Sequence, residues 1–215
     1  MEFDPAFALS ILPDLLRGAV VTIMATLGGF AVALLGGLVL ALARRTRAAP
    51  LAVSYTEFIR NTPLLVQVYF VFYVLPFLGV TLGAMTSGIV ALGLNYSAYV
   101  AEVYRAGIDS VPAGQWEAAR SLGLAPRTIW ARVLLPQAMR PILPVLGNYA
   151  IGMFKDTPLL ATITIPEMFN SAMQIAGTTY RYNEPYTLVA LLFLAMSYPA
   201  ALLVRVLERR LHPPA

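Results

Sequence analysis

The long apolar stretches that carry no charged residue are 18–43, 61–101, 141–154 (resuming as 157–166 beyond Lys155 and Asp156) and 185–204. The first reaches past the roughly 20 apolar residues needed to cross a hydrocarbon core of about 30 Å. The second is about twice that span length and contains LPFLGVTLG at 75–83, a proline and glycine turn that divides it. The pattern predicts five spans, near 18–43, 61–80, 84–104, 138–156 and 185–205. The expected fold class is an all-α integral membrane protein, a single domain over 1–215.

Composition agrees. Of 215 residues, 59% are hydrophobic and only 12% charged, against about 25% charged in an ordinary soluble domain. The net charge of +4 comes from arginines at the ends of apolar runs. They are not gathered on one face with aromatics, so the basic balance points to membrane lipid as a partner and away from nucleic acid. The absence of cysteine excludes disulfides, cysteine-ligated zinc and thiol catalysis. The one histidine, His212, lies in a proline-rich tail, which excludes a two-histidine metal site and serine–histidine machinery. No cofactor or metal is expected. The opening MEFDPAFALSILPDLL is acidic and lacks the basic n-region of a cleaved signal peptide, so the first apolar run is expected to stay as a span.

Lysine and arginine in alternate loops orient the spans. With the N-terminus outside and the C-terminus inside, 12 of the 15 basic residues fall on the inner side, leaving only Arg17, Lys155 and Arg181 outside, where Glu2, Asp4, Asp14, Asp156, Glu167 and Glu184 also lie. The longest inner loop is then about 105–137. The first span carries Ala25, Gly29, Ala33, Gly37 and Ala41 at every fourth position, one face on which another backbone can approach closely, either within the chain or from a partner subunit.

The inner loop reads VPAGQWEAARSLGLAPRTIWARVLLP from 111 to 136. Pro112 suits a first helical turn, Gln115 to Leu122 are good helix formers, Gly123 offers a left-handed stop, and Pro126 starts a second helix. Helices this short are marginal in isolation, so the unit is expected to be a helix, a bend and a short return helix, held by docking.

The residues Glu117-Ala118-Ala119, Gly123 and Val133 to Pro136 resemble the EAA loop of ATP-binding-cassette importer permeases, EAA-x3-G-x9-I-x-L-P, with Val133 in place of the usual isoleucine. RNTPLLVQVYFVFYVLP at 60–76, AEVYRAGIDSVPAGQWEAA at 101–119 and FKDTPLL at 154–160 are similar to the polar amino-acid branch of that family, with Asn61 where glycine is commoner. Within the branch, GVTL, YSAYVAEVYRAGID and TYRYNEPYTLV look closest to permeases for ectoine and hydroxyectoine. The resemblance implies a non-catalytic translocation subunit in a bacterial inner membrane, serving a polar amino acid or related compatible solute. It also implies an extracytoplasmic solute-binding protein, an ATPase subunit and a second permease chain, identical or similar. Gln115, Trp116, Glu117, Ala118, Ala119, Arg120, Leu122 and Gly123 are then the ATPase-coupling residues, with Glu117 and Arg120 free to pair with each other or with the partner. The chain carries no G-x-x-x-x-G-K-[ST] loop, so ATP is expected on a separate subunit.

Candidate path or gate residues are Lys155, Asp156 and Thr157, which interrupt an apolar stretch just before Pro158. Lys155 lies about 21 Å along a helix from Pro141, within or just past the outer part of the core, where charges face a pathway or each other. The alternative is an ion pair capping a helix at the outer interface. Arg60, Asn61 and Thr62 before Pro63 read as a helix start, or as lining of a path. Gln67, Asn95, Asn148 and Gln174 are polar groups able to bond substrate or neighbouring helices. Glu102 and Arg105 are spaced to pair with each other. Tyrosines near 69–73, 96–104 and 180–186 suit interfacial belts, or a cage for a cationic or zwitterionic ligand. Two other function classes are an ion-gradient-coupled carrier and an intramembrane enzyme. The first needs a titratable intramembrane carboxylate and the second a catalytic cluster at one depth.

Overall fold

The computed structural model describes residues 3–211, and every regular element among them is helical; Glu2 and His212 lie outside the described residues. Helix α1, Pro5–Ala43, begins well before the predicted span. Asp4 caps it, its carboxylate accepting the amides of Ala6 and Phe7 at 3.0 and 3.2 Å, and Pro5 suits the first turn. The remaining elements are α2 (Ala49–Arg60), α3 (Leu64–Tyr69), α4 (Ala84–Asp109), α5 (Ala113–Ser121), α6 (Pro126–Thr128), α7 (Leu135–Asp156), α8 (Met168–Thr179) and α9 (Asn183–Leu211). Four of the five predicted runs, 18–43, 84–104, 138–156 and 185–205, lie within single helices, α1, α4, α7 and α9, and 61–80 does not. By length and composition α1 and α9 each suffice to cross a membrane.

Both helices leave large apolar side chains uncovered, among them Leu27, Leu35 and Val39 of α1 and Leu194 and Leu203 of α9. So much exposed apolar surface is unfavourable in water and suits lipid. The opposite face of α1 supplies the core. Ala25, Gly29, Ala33, Gly37 and Ala41 are all buried, and the helix packs most extensively on α4 of the same chain. A Cβ at Gly37 would come within 3.0 Å of the Ala101 amide nitrogen on α4, so the small-residue face lets two backbones touch. At one end of this pair Arg44 reaches Glu102 at 2.6 Å, Arg105 reaches Glu102 at 2.9 Å and Arg45 reaches Asp109 at 2.9 Å. The expected Glu102–Arg105 pair is thus one link of a clasp holding α1 to α4.

The stretch 61–80 departs from a straight span. Helix α2 ends at Arg60, and the chain turns by 106° before resuming at Leu64. Asn61 and Thr62 close the preceding helix and do not start the next: Asn61 Nδ2 donates to Glu57 O at 2.7 Å and Thr62 Oγ1 to Phe58 O at 2.8 Å. This corrects the helix-start reading. Pro63 has no amide hydrogen to continue the ladder and disfavours a helical conformation for Thr62, so the helix stops there.

Two π-turns share one cause. Phe70–Val74 precedes Pro76, and Ile129–Leu134 precedes Pro136. In each, the residue before the proline donates five residues back, Leu75 to Phe70 O and Leu135 to Trp130 O. The extra residue in the turn relieves the clash of a proline ring with the carbonyl four positions earlier. The return helix of the 105–137 loop is consequently not a short separate helix. It runs through α6 and the π-turn into α7, and only the connections at 110–112 and 122–125 are irregular.

Helix α7 ends at Asp156, followed by a 3-10 segment, Thr157–Ile163. An unforeseen helix, α8, follows and packs on α1 and α9 through Met168, Ala172, Leu15 and Val189.

Candidate functional site

Helices α4 and α7 lean together beside the elbow between α2 and α3, and a cavity of about 770 Å³ opens there. On α7 the wall is built by Val145, Asn148, Tyr149, Gly152 and Asp156, positions three or four apart that fall on one helical face. Helix α4 contributes Asn95, Tyr96 and Tyr99, and the elbow contributes Arg60, Asn61 and Thr62. Tyr96 Oη donates to Asp156 Oδ2 at 2.7 Å, a charge-assisted bond of the strong kind. The Arg60 guanidinium lies 5.6 Å from the centre of the Tyr99 ring, within cation–π range. Tyr96, Tyr99 and Tyr149 form a mutual cluster with ring centres 5.8 to 6.2 Å apart. An anion, a cation and three aromatic faces thus border one space.

Of the predicted path residues, Arg60, Asn61, Thr62 and Asp156 meet at this cavity and Asn95 and Asn148 join them. Lys155, Thr157 and Gln67 do not. Lys155 is exposed and makes no ion pair with Asp156, because neighbouring helical positions point about 100° apart. Thr157 is buried and donates back to Phe154 O at 2.8 Å. Gln67 turns into the elbow, and Gln174 donates to Asn170 Oδ1 within α8. Tyr149 and Gly152 were missed; their signal was the helical spacing of four, three and four residues through 145, 149, 152 and 156, ending on a charge.

The cavity continues along α4 and α7. A second space, about 300 Å³, shares Val145 with it and is lined by Glu102, Gly107 and Pro141. A third, about 340 Å³, shares Pro141 and is lined by Ser110, Gln137 and Arg140. From Asp156 to Arg140 this furrow follows α7 for about 24 Å. At its end Gln137 donates to Val133 O at 2.8 Å and to Gln115 Oε1 of α5 at 3.3 Å.

Helix α5 sits on the return helix. Trp116 packs edge-on against Trp130 with centres 5.1 Å apart, and Ala119 is buried. Gln115, Glu117, Ala118, Arg120, Leu122 and Gly123 remain exposed. Arg120 stands over Trp116 at 5.9 Å, and no ion pair joins it to Glu117 among the described residues. The end of α5 is a Schellman motif: Gly123, at φ +68°, donates to Arg120 O at 2.9 Å and Leu124 to Ala119 O at 3.3 Å. A non-glycine residue at that φ is strained.

At the opposite end of the molecule Arg181 pairs with Asp4 at 3.0 Å. Its hydrogen bond, with that of the Phe7 amide, holds the Asp4 carboxyl below its ordinary range. Glu167 caps α8, accepting the amides of Phe169 and Asn170. It is fully buried, and that burial pushes its pKa up to about 7 against the pull of those amides.

An all-helical bundle with lipid-suited outer faces and a furrow between two helices, polar at its Asp156 and Arg140 ends, is the build of a membrane-embedded protein. Residues 33–213 match the family described as binding-protein-dependent transport system inner membrane component, and the chain belongs to that family. It is 46% identical over 207 residues to a "probable amino-acid ABC transporter permease protein", y4tG, of Sinorhizobium fredii, covering 94% of this chain and 89% of that one. To the L-cystine transport system permease protein TcyB of Bacillus subtilis it is 37% identical over 206 residues, covering 94% and 88%. A chain from the crystal structure of an amino acid ABC transporter with histidines superposes with a TM-score of 0.90 at 38% identity, covering 98% of this chain and 100% of that one. As in its relatives, which are permeases, the chain's role is non-catalytic.

Proposed function

We propose that the protein is the permease of an ATP-driven importer for a polar amino acid or a related compatible solute, ectoine and hydroxyectoine included, working in a bacterial inner membrane with its N-terminus outside. The carrying observation is the cavity that sets Asp156, held by Tyr96, and Arg60, over Tyr99, around one space. A zwitterion satisfies both: its cationic group faces the carboxylate and the tyrosine rings, and its carboxylate faces the guanidinium. The relatives named for amino acids and cystine support that cargo class.

An extracytoplasmic binding protein delivers the solute to the Asp156 end, and the furrow between α4 and α7 leads it towards Gln137 and Arg140. A second permease chain covers the open side of the furrow. The ATPase subunit binds the exposed face of α5 through Glu117, Ala118, Arg120 and Leu122. Trp116 and Ala119 hold α5 to the return helix, which is continuous with α7, so a push on α5 reaches the cavity wall through one helical run from Pro126 to Asp156 that includes the π-turn, Pro141 and Pro144. Gln115, bonded to Gln137, adds a second link, and Gly123 sets the bend. ATP stays on the partner.

ATP-dependent uptake in vesicles tests this reading. Uptake is expected only with the ATPase and binding protein present; uptake driven by an ion gradient alone rejects it in favour of a secondary carrier.

A further inference from the structure

Gln67 is one of the three predicted path residues that do not line the cavity, and its actual place gives it another task. The 106° turn between α2 and α3 leaves backbone carbonyls without helical partners, a costly situation away from water. Gln67 Nε2 donates to Ile59 O at 2.9 Å and to Thr62 O at 3.1 Å, and lies 2.9 Å from Thr62 Oγ1. Its Oε1 accepts from Asn95 Nδ2 of α4 at 3.1 Å. One side chain therefore joins the last turn of α2, the break, the first turns of α3 and the neighbouring helix. Its other flank lies on an apolar space of about 320 Å³ lined by Phe58, Phe70 and Leu94, which offers the amide no competing partner.

The elbow also carries one wall of the cavity. Arg60 is the last residue of α2, directly before the turn, whereas Asp156 belongs to α7. Asn95, only 5% exposed, borders the cavity with both while gripping Gln67. The angle of the elbow therefore sets where the Arg60 guanidinium stands relative to the Asp156 carboxylate. The amide suits this place because it donates to two carbonyls and accepts from Asn95 at once. Glutamate at this position accepts but does not donate when ionised, and methionine fills the volume and does neither.

We propose that Gln67, clamped by Asn95, is a positioning residue that fixes the spacing between Arg60 and Asp156 and thereby selects the charge separation of the zwitterion the cavity accepts. The proposal rests on the cavity holding a zwitterion between those two groups.

The test uses the assembled permease–ATPase complex and measures apparent Kd for four probes that differ in the distance between cation and carboxylate: glycine, β-alanine, γ-aminobutyrate and ectoine. Wild-type protein is expected to favour one probe by about tenfold over the next, the effect of a single well-placed charged contact. Gln67→Met is expected to flatten that preference to about threefold or less while the best probe weakens more than the poorest. Asn95→Ala should flatten it likewise, and the double variant no further, because both act through one link. Gln67→Glu, equal in size but without donors, is the second variant should the methionine form fail to assemble, with the same flattening expected. Wild-type ratios in either Gln67 variant, or an equal loss for all four probes, overturn the proposal. If Arg60→Gln and Asp156→Asn bind the series as wild type does, the zwitterion reading itself fails, and the positioning role falls with it.

Discussion

Tyr96 Oη and Asp156 Oδ2 are 2.7 Å apart, and this bond joins α4 to the last residue of α7 at the cavity wall. It spends one lone pair of the carboxylate on the protein and leaves the rest facing the space between the helices. The bond also holds the carboxylate in one place, since without it Asp156 has no hydrogen-bonding side-chain partner among the described residues.

Removing the carboxylate is expected to be severe. Asp156→Ala should lower uptake by about tenfold or more, the scale of one hydrogen bond to a charged group, with the complex still assembled. Tyr96→Phe should fall between that variant and wild type, because it keeps the charge and loses its anchor. Initial uptake rates in proteoliposomes, alongside a pull-down of the ATPase, measure both. Unchanged uptake in Asp156→Ala rejects the cavity as the path.

The bend after α5 is the next target. At φ +68°, Gly123→Ala is expected to cost about 1 kcal/mol. Gly123→Pro additionally removes the amide that bonds Arg120 O and cannot adopt a positive φ. Gly123→Pro, and Ala119→Leu, which drives a side chain into a buried contact, should leave ATP hydrolysis uncoupled from uptake or release the ATPase. Paired measurements of ATPase rate and uptake decide this; wild-type coupling in both variants counts against the docking role of α5.

The α1–α4 seam predicts a stability effect with no ligand involved. Gly37→Ala brings a methyl against Val100 and the Ala101 backbone, and overpacking of this kind costs about 1–3 kcal/mol. Gly114→Ala is the control, since nothing lies within 4 Å of its added Cβ. Thermal melting of the detergent-solubilised protein should separate the two, with only Gly37→Ala melting lower.

Glu167 predicts a pH dependence. Its folded pKa, about 7, stands above the ordinary 4.5, so the native state favours the protonated acid. The contribution is fully present below about pH 4.5 and is lost as pH rises through 7, up to about 3 kcal/mol at one pKa unit per 1.4 kcal/mol. Melting temperature is therefore expected to fall between pH 5 and 8 in wild type. Glu167→Gln, which keeps one acceptor for the cap of α8, should show a flatter profile over the same interval. An identical slope in the two proteins assigns the pH dependence to other groups.

Much of the bundle was legible in advance because its cause is one-dimensional. Long uncharged runs demand burial or lipid wherever the chain goes, and the four-residue spacing from Ala25 to Ala41 dictates a close-packed face in any helix. The elements missed had mixed or short-range causes. Helix α2 carries Glu57 and Arg60 and lacks a capping side chain. Helix α8 is capped by a glutamate, an uncommon choice, and is held by contacts with residues about 150 positions away, such as Thr22 Oγ1, which accepts the Met168 amide at 3.2 Å.

By itself, the sequence determined the helical class, the apolar runs, the seam on α1, and the loop whose spacing from Glu117 to Pro136 resembles a known docking motif. The first three follow from composition and periodicity, which act locally, and the loop was read from its resemblance to a family motif. Only the tertiary structure decided that Asp156 faces the cavity while Lys155 beside it does not, that Asn61 and Thr62 close one helix without opening another, and that Gln67 fills an elbow. Each of those depends on the direction a side chain takes and on what another helix brings to meet it. Two adjacent charges look alike in a sequence; a turn of about 100° on the helix separates them.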